Sequence, residues 1–292
     1  MDNHYYKVGG HIFLLSSADV VDEKDIENYA PFRLSEGADN YIFSLSIVDE
    51  FSEQCDFELV GQFDDDIASI GVFKSQDNFF RFQIACPDVE DYCTMIVDAS
   101  FHTAQATFPN NSQLRSFYLN NCLMLLYAFS SARKNTLLIH ASVIKNKDTG
   151  FVFLGKSGTG KSTHSRLWLT HINDSELLND DNPVIRIIED KVWVFGTPWS
   201  GKTPCYKNEK AELGGIVKLR QAPENKINKL SSLQAYATIL PSCSSMKWEE
   251  SIMTGIHLTV EKLAMGANCF RLNCLPDKEA AELCSTTIRG NK

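Results

Sequence analysis

"GFVFLGKSGTGKSTHSRLWL", Gly150 to Leu169, decides the architecture of the second half of the chain. The run from Gly155 to Ser162 has the spacing G-x-x-x-x-G-K-[ST] of a phosphate-binding loop. Its glycines allow backbone angles that turn several N–H groups inward around an anion. A helix starting near Lys161 adds its positive dipole end. In such a loop the lysine, Lys161, reaches the β- and γ-phosphates and the hydroxyl of Ser162 ligates Mg²⁺. An apolar run, "FVFL", leads in, and "KSTHSRLWLTHI" reads as a helix leading out. Strand–loop–helix is the context this motif requires.

The surrounding sequence continues the alternation. "NTLLIHASVI" reads as a strand before the loop, with a turn at "KNKDTG". "SELLNDDNPVIRII" brings one or two more strands, and "KVWVFGTPW" another. A long mixed tail closes with a strand, "NCFRLNCL", and a helix, "DKEAAELCSTTIRG". That order predicts an α/β domain over residues 135–292.

Residues 1–110 follow a different rule. "HIFLLS", "YIFSLSIV", "FELVGQF", "SIGVFK", "FFRFQIA" and "CTMIVDASF" are short, aromatic and β-branched, and polar or glycine-containing turns separate them. They predict a β-rich domain with a mostly antiparallel sheet, so the chain as a whole is α+β. The acids Asp64 to Asp66 between two of these strands read as a solvated loop. Between the halves, residues 111–134 carry Leu114, Phe117, Tyr118, Asn121, Leu125 and Ala128 at helical spacing. Ser112 is a plausible N-cap, and the segment reads as a linking helix.

Bulk properties narrow the function. The formal net charge of the 292 residues is −9, a poor match for a nucleic-acid backbone. No run of about 18 apolar residues is present to cross a membrane, and the first residues do not read as a signal peptide. Nine cysteines are scattered through apolar stretches without the paired spacing of zinc sites. They read as buried thiols of a cytoplasmic protein.

Three further features bear on chemistry. In "LLNDDNP", Asp180 and Asp181 follow an apolar run about twenty residues after the loop. One carboxylate would hold Mg²⁺ and the other accept a proton from an attacking hydroxyl. Neighbouring side chains on a strand point to opposite faces, so both serve only if the chain bends there. His140, in "LLIHASVI", is either a structural residue or a partner that orients an aspartate. "GTPWSGKTPCYKNEKAELGG", Gly196 to Gly215, reads as a loop that closes over phosphates or binds substrate, or as a solvated connection. Lys202 within it, and after it Lys207 or Lys210, are candidates to contact the transferring phosphoryl group.

The order "IHASVI", "GFVFLGKSGTGKST", "LLNDDNPVI", "FGTPW" and "FRLNCLPDKEAAEL" resembles the catalytic domain of HPr kinase/phosphorylase and its wider group of kinases. That group is related in fold to ATP-dependent phosphoenolpyruvate carboxykinases. The resemblance covers roughly residues 135–290 and implies a mixed-sheet P-loop kinase domain. The implied cofactors are ATP and Mg²⁺, and the implied reaction transfers the γ-phosphoryl group to a hydroxyl of a small molecule or a protein serine. Gly155, Lys156, Ser157, Gly158, Thr159, Gly160, Lys161, Ser162 and Thr163 would hold the nucleotide phosphates. Ser162 and Asp181 would hold the metal, and Asp180, assisted by His140, would be the base, with the two aspartates interchangeable. Arg271 in the closing strand would meet substrate, as would Lys202. Relatives with this domain assemble into rings, which implies a homo-oligomer.

The chain departs from true HPr kinases in two places. Their Glu-x-Arg-Gly signature is replaced by "KNEKAELGGIVKL", with Glu209 and Glu212 but no arginine, and the first 110 residues do not resemble their N-terminal domain. HPr itself is therefore not the expected acceptor. Two other functions fit the loop: a nucleotide sensor without transfer chemistry, and a carboxykinase acting on a small carboxylic acid. The second asks for an arginine-rich clamp that the sequence does not display.

Overall fold

A computed structural model describes residues 2–17, 22–51, 56–64, 68–87, 89–109, 112–201, 203–246 and 249–290. Lys202, Cys55, Asp65 and Asp66 fall outside these residues. The chain divides into two compact units, residues 1–131 with 246–249, and residues 132–245 with 250–292.

The first unit begins with β1 (Asp2–Val8), β2 (His11–Ser17), β3 (Ser44–Ile47) and β4 (Phe57–Asp64). It continues with β5 (Ser69–Ser75), β6 (Phe80–Ala85), β7 (Tyr92–Val97) and β8 (Thr103–Thr107), and ends in α1 (Arg115–Ser131). The strands form one sheet in the order β1-β2-β3-β8-β7-β6-β5-β4. Most neighbours are antiparallel, but β3 runs parallel to both β2 and β8, so the sheet is mixed. Strict alternation of buried and half-exposed residues in β6 and β7 shows one covered face. Helix α1 covers it. Cys122 Sγ lies 3.6 Å from Cys93 Sγ on β7. The Tyr127 hydroxyl donates to the Val8 carbonyl at 3.0 Å, and Phe129 stacks on Phe82. The helix is thus built into the first unit. Its end at Ser131 leaves residues 132–134 in the second.

The second unit starts with β9 (Thr136–Leu138), β10 (Ala141–Asn146), β11 (Thr149–Leu154) and α2 (Lys161–His171). Next come β12 (Ser175–Asp181), β13 (Val184–Ile188), β14 (Lys191–Phe195), β15 (Lys210–Gln221) and β16 (Lys226–Lys229). It closes with α3 (Ser232–Ile239), α4 (Glu250–Gly266), β17 (Cys269–Cys274) and α5 (Lys278–Arg289). The main sheet order is β12-β10-β11-β15-β14-β13-β9, and β17 pairs with both β15 and β16. The protein is therefore a mixed α/β structure with two mixed sheets. None of its described helices is long and apolar enough to cross a membrane.

Strand β15 organises this sheet. Its residues Glu212 to Lys218 lie against β11 in parallel. On its other edge Lys210 to Glu212 pair with β14 and Ile216 to Gln221 pair with β17. The sequence places a loop over Gly196 to Gly215, but the strand begins at Lys210, so only the first part of that stretch is a connection.

One cluster holds α2 and α5 on the sheet. Phe151 and Phe153 of β11, Val217 and Leu219 of β15, and Phe270 and Leu272 of β17 are buried with Trp168, Ala281, Cys284 and Ile288. The Trp168 ring sits 5.2 Å from that of Phe151, and its indole N–H donates to His164 Nε2 at 3.2 Å. Burial pushes the His164 pKa down to about 4, so this histidine is neutral. The floor beneath the phosphate-type loop is thus a rigid aromatic layer.

Candidate active site

The loop from Gly155 to Ser162 joins β11 to α2. Gly158 and Gly160 have φ of +75° and +105°, a region closed to most side chains, so glycine is required at both. Gly160 is the N-cap of α2 and has no side chain to satisfy the helix's first N–H groups. Those donors face out of the helix start, which suits an anion.

Five side chains converge at that start. Lys161 Nζ donates to the Gly155 carbonyl at 3.0 Å and lies 2.8 Å from His140 Nε2. His140 Nδ1 lies 3.0 Å from Asp181 Oδ1. Next along the helix, the Ser162 hydroxyl donates to Asp180 Oδ1 at 3.1 Å. Lys161, His140 and Asp181 thus form one chain of polar contacts and Ser162 and Asp180 a second beside it, assembled from three separate segments.

His140 is not within a strand. Its backbone falls at the break between β9 and β10, where its N–H donates to Ser242 and Ile139 makes an isolated bridge to Cys243. That break frees the side chain from the sheet's two faces.

The two aspartates face different partners because the pairing of β10 with β12 is irregular. Val143 pairs with Asn179 and Ile144 with Leu177, so Leu178 is passed over. Buried Asn179 then fixes the turn that follows. Its amide donates to Thr197 Oγ1 at 3.0 Å and to the Trp199 carbonyl at 3.2 Å, while its Oδ1 accepts the Asp181 N–H at 3.1 Å. Thr197 Oγ1 in turn donates to the Asn182 carbonyl at 2.7 Å. Gly201 donates its N–H to the Asp180 carbonyl at 2.7 Å, and a Cβ there would sit 2.8 Å from that oxygen. The first residues of the Gly196–Gly215 stretch thus support the acid pair. Asn179 and Thr197 do not stand out in the sequence. The signal for them was weak: an asparagine beside two acids reads as more turn polarity.

Exposure separates the acids. Asp180 is 6% exposed and its carboxylate meets the Ser162 hydroxyl. The Asp181 side chain is 28% exposed. Burial lowers the Lys161 pKa, against the pull of Asp181 and Asp180, while Lys218 lowers it further.

Other sequence candidates lie elsewhere. Lys207 Nζ is paired with Glu176 at 2.7 Å, and Lys210 Nζ sits 4.1 Å over the Trp193 ring. Arg271 lies on β17, directly across from Lys218 of β15. Both line a cleft of about 770 Å³ that the loop contributes to through Lys156, Ser157, Gly158 and Thr159. Among the described residues, Lys156, Lys218, Arg220 and Arg271 make no ion pair, although all four line this cleft. Burial lowers the Lys218 pKa, and Lys156 and Arg271 add repulsion. A cleft of this charge accepts an anion or a polar, electron-rich ring.

The residues fit ATP·Mg²⁺ on their chemistry. Ser162 Oγ and Asp180 Oδ1 are adjacent hard oxygen donors, the kind Mg²⁺ takes. The described residues hold no cluster of three or more His, Cys, Asp or Glu that would cage a metal alone. Mg²⁺ shared with substrate phosphates needs only one or two protein ligands.

No family model and no curated protein matches the chain. Among solved structures, the Hpr(Ser) kinase/phosphatase from Coxiella burnetii matches over 53% of this chain and 95% of its own. The sequence identity is 12% and the TM-score 0.29.

Proposed function

We propose that the second unit is an ATP-dependent phosphotransferase that passes the γ-phosphoryl group to a hydroxyl on a small molecule or a protein serine. The observation that carries this is the connected group Asp181–His140–Lys161 beside Ser162–Asp180 at the start of α2. A nucleotide-binding turn needs the lysine and serine, while a carboxylate–imidazole pair within reach serves proton transfer.

The geometry favours one distribution of roles between the acids. Buried Asp180, already bonded to Ser162, would hold the metal with that hydroxyl. Asp181, the more exposed of the two, accepts the proton of an incoming alcohol, with His140 Nδ1–H and the Asn182 amide, 2.8 Å from Oδ2, fixing the carboxylate's orientation. This exchanges the roles drawn from the family resemblance. Bound ATP supplies the transferable phosphoryl group, and Mg²⁺ neutralises its charge. Lys161 binds the phosphate oxygens, and the loop's inward N–H groups orient them. Lys218, Arg271 and Lys156 line the cleft that would take the rest of the nucleotide.

The test is transfer from γ-labelled ATP·Mg²⁺ into desalted host extract and, separately, into its small-molecule fraction, with Lys161→Ala as control. Label in one fraction, only with the intact protein, establishes the kinase and the kind of acceptor. Nucleotide binding without label in either fraction refutes transfer and leaves a nucleotide sensor.

A further inference from the structure

The lysine that should grip phosphate is already held. Lys161 Nζ donates to the Gly155 carbonyl and lies 2.8 Å from His140 Nε2. To accept from an amine, Nε2 must carry no proton, so the ring's proton is on Nδ1, facing Asp181 Oδ1 at 3.0 Å. Both ring nitrogens are thus engaged, and the imidazole has one orientation. Its position at the β9–β10 break, with the backbone pinned to Ser242, gives it little freedom to follow the lysine if the amine moves.

We propose that His140 is a latch for Lys161. It holds the amine through Nε2, and phosphate must take the amine from it. The latch rests on the loop binding nucleotide phosphates, as proposed above. Two consequences follow from its geometry. Part of the phosphate affinity is spent releasing the amine, so apparent affinity is lower than the loop alone would give. The same release frees His140 Nε2 and leaves the Asp181–His140 pair without its cationic neighbour. The proton-accepting pair is therefore relieved of the amine's charge only when phosphate has arrived. His140 acts here as a positioning residue, through Lys161 and Asp181.

A merely structural histidine predicts the opposite sign from a latch. The whole protein, with Mg²⁺, is titrated with a fluorescent ATP analogue in three forms: native, His140→Ala and His140→Gln. A latch predicts that His140→Ala binds about tenfold more tightly, the worth of one charged hydrogen bond. Glutamine retains an oxygen that accepts from the amine, so His140→Gln should stay within about twofold of the native protein. Native binding with unchanged or weaker binding by His140→Ala overturns the latch and leaves the phosphate-loop reading standing. No binding by the native protein overturns that reading and the latch with it.

Discussion

Asn179→Ala tests whether the acid pair is held from below. The native amide is fully buried; it donates to Thr197 Oγ1 and the Trp199 carbonyl and accepts the Asp181 N–H. The Thr197 hydroxyl keeps other bonds, donating to the Asn182 carbonyl at 2.7 Å and accepting the Trp199 N–H at 3.2 Å. The Asp181 N–H loses its side-chain acceptor. One stranded donor plus the lost amide packing comes to about 2–3 kcal/mol. Three of the four tryptophans, Trp168, Trp193 and Trp199, lie in this unit, so its urea unfolding is followed by fluorescence. Released from Asn179, Asp181 should also lose its alignment with His140, and transfer should fall by more than nucleotide binding does. A stability loss under about 1 kcal/mol would refute the assignment of Asn179 as the anchor.

Other perturbations separate fold from site. His164 has a pKa lowered by burial to about 4, against about 6.5 unfolded, so the unfolded chain binds more protons between those values. Stability should therefore fall by about 3 kcal/mol as pH drops from 6.5 to 4, and His164→Gln should flatten that slope in urea titrations. Ser231→Ala removes the capping box of α3, in which Ser231 Oγ accepts the Gln234 N–H, and should cost about 1 kcal/mol by the same assay. Gly255→Ala would push a Cβ to 2.6 Å from the Ala132 carbonyl oxygen, and should cost about 1–3 kcal/mol. Asp180→Asn should weaken the Mg²⁺ dependence of nucleotide binding, whereas Asp181→Asn should spare binding and abolish label transfer.

The strand–loop–helix at the site was legible because the motif and its flanks impose the same local geometry. "FVFL" is β11 and "KSTHSRLWLTH" is α2. Strand β8 is hard to see in the sequence because "TAQAT" carries little apolar signal, although Ala104 and Ala106 are buried. Helices α3 and α4 lie in the mixed tail, which was read only as far as the strand and helix that close it. The distribution of the aspartates could not be read either. It depends on Leu178 being passed over in a ladder whose partner strand lies more than thirty residues upstream. Local propensity does not carry that register.

Strand β15 also sets how this protein can change. Val217 and Leu219 point into the core with Trp168, while Lys218 and Arg220 line the cleft beside the loop. Inserting or deleting one residue between Gly215 and Val217 would exchange these two sets, moving charge into the core and aliphatic carbon into the cleft. Neither the aromatic floor nor the cationic wall would survive it. Substitutions that adjust ligand preference can therefore accumulate one position at a time along the cleft face, while length changes are confined to the connections at either end. The strand lets its two faces diverge independently, provided its reading frame in the sheet is kept.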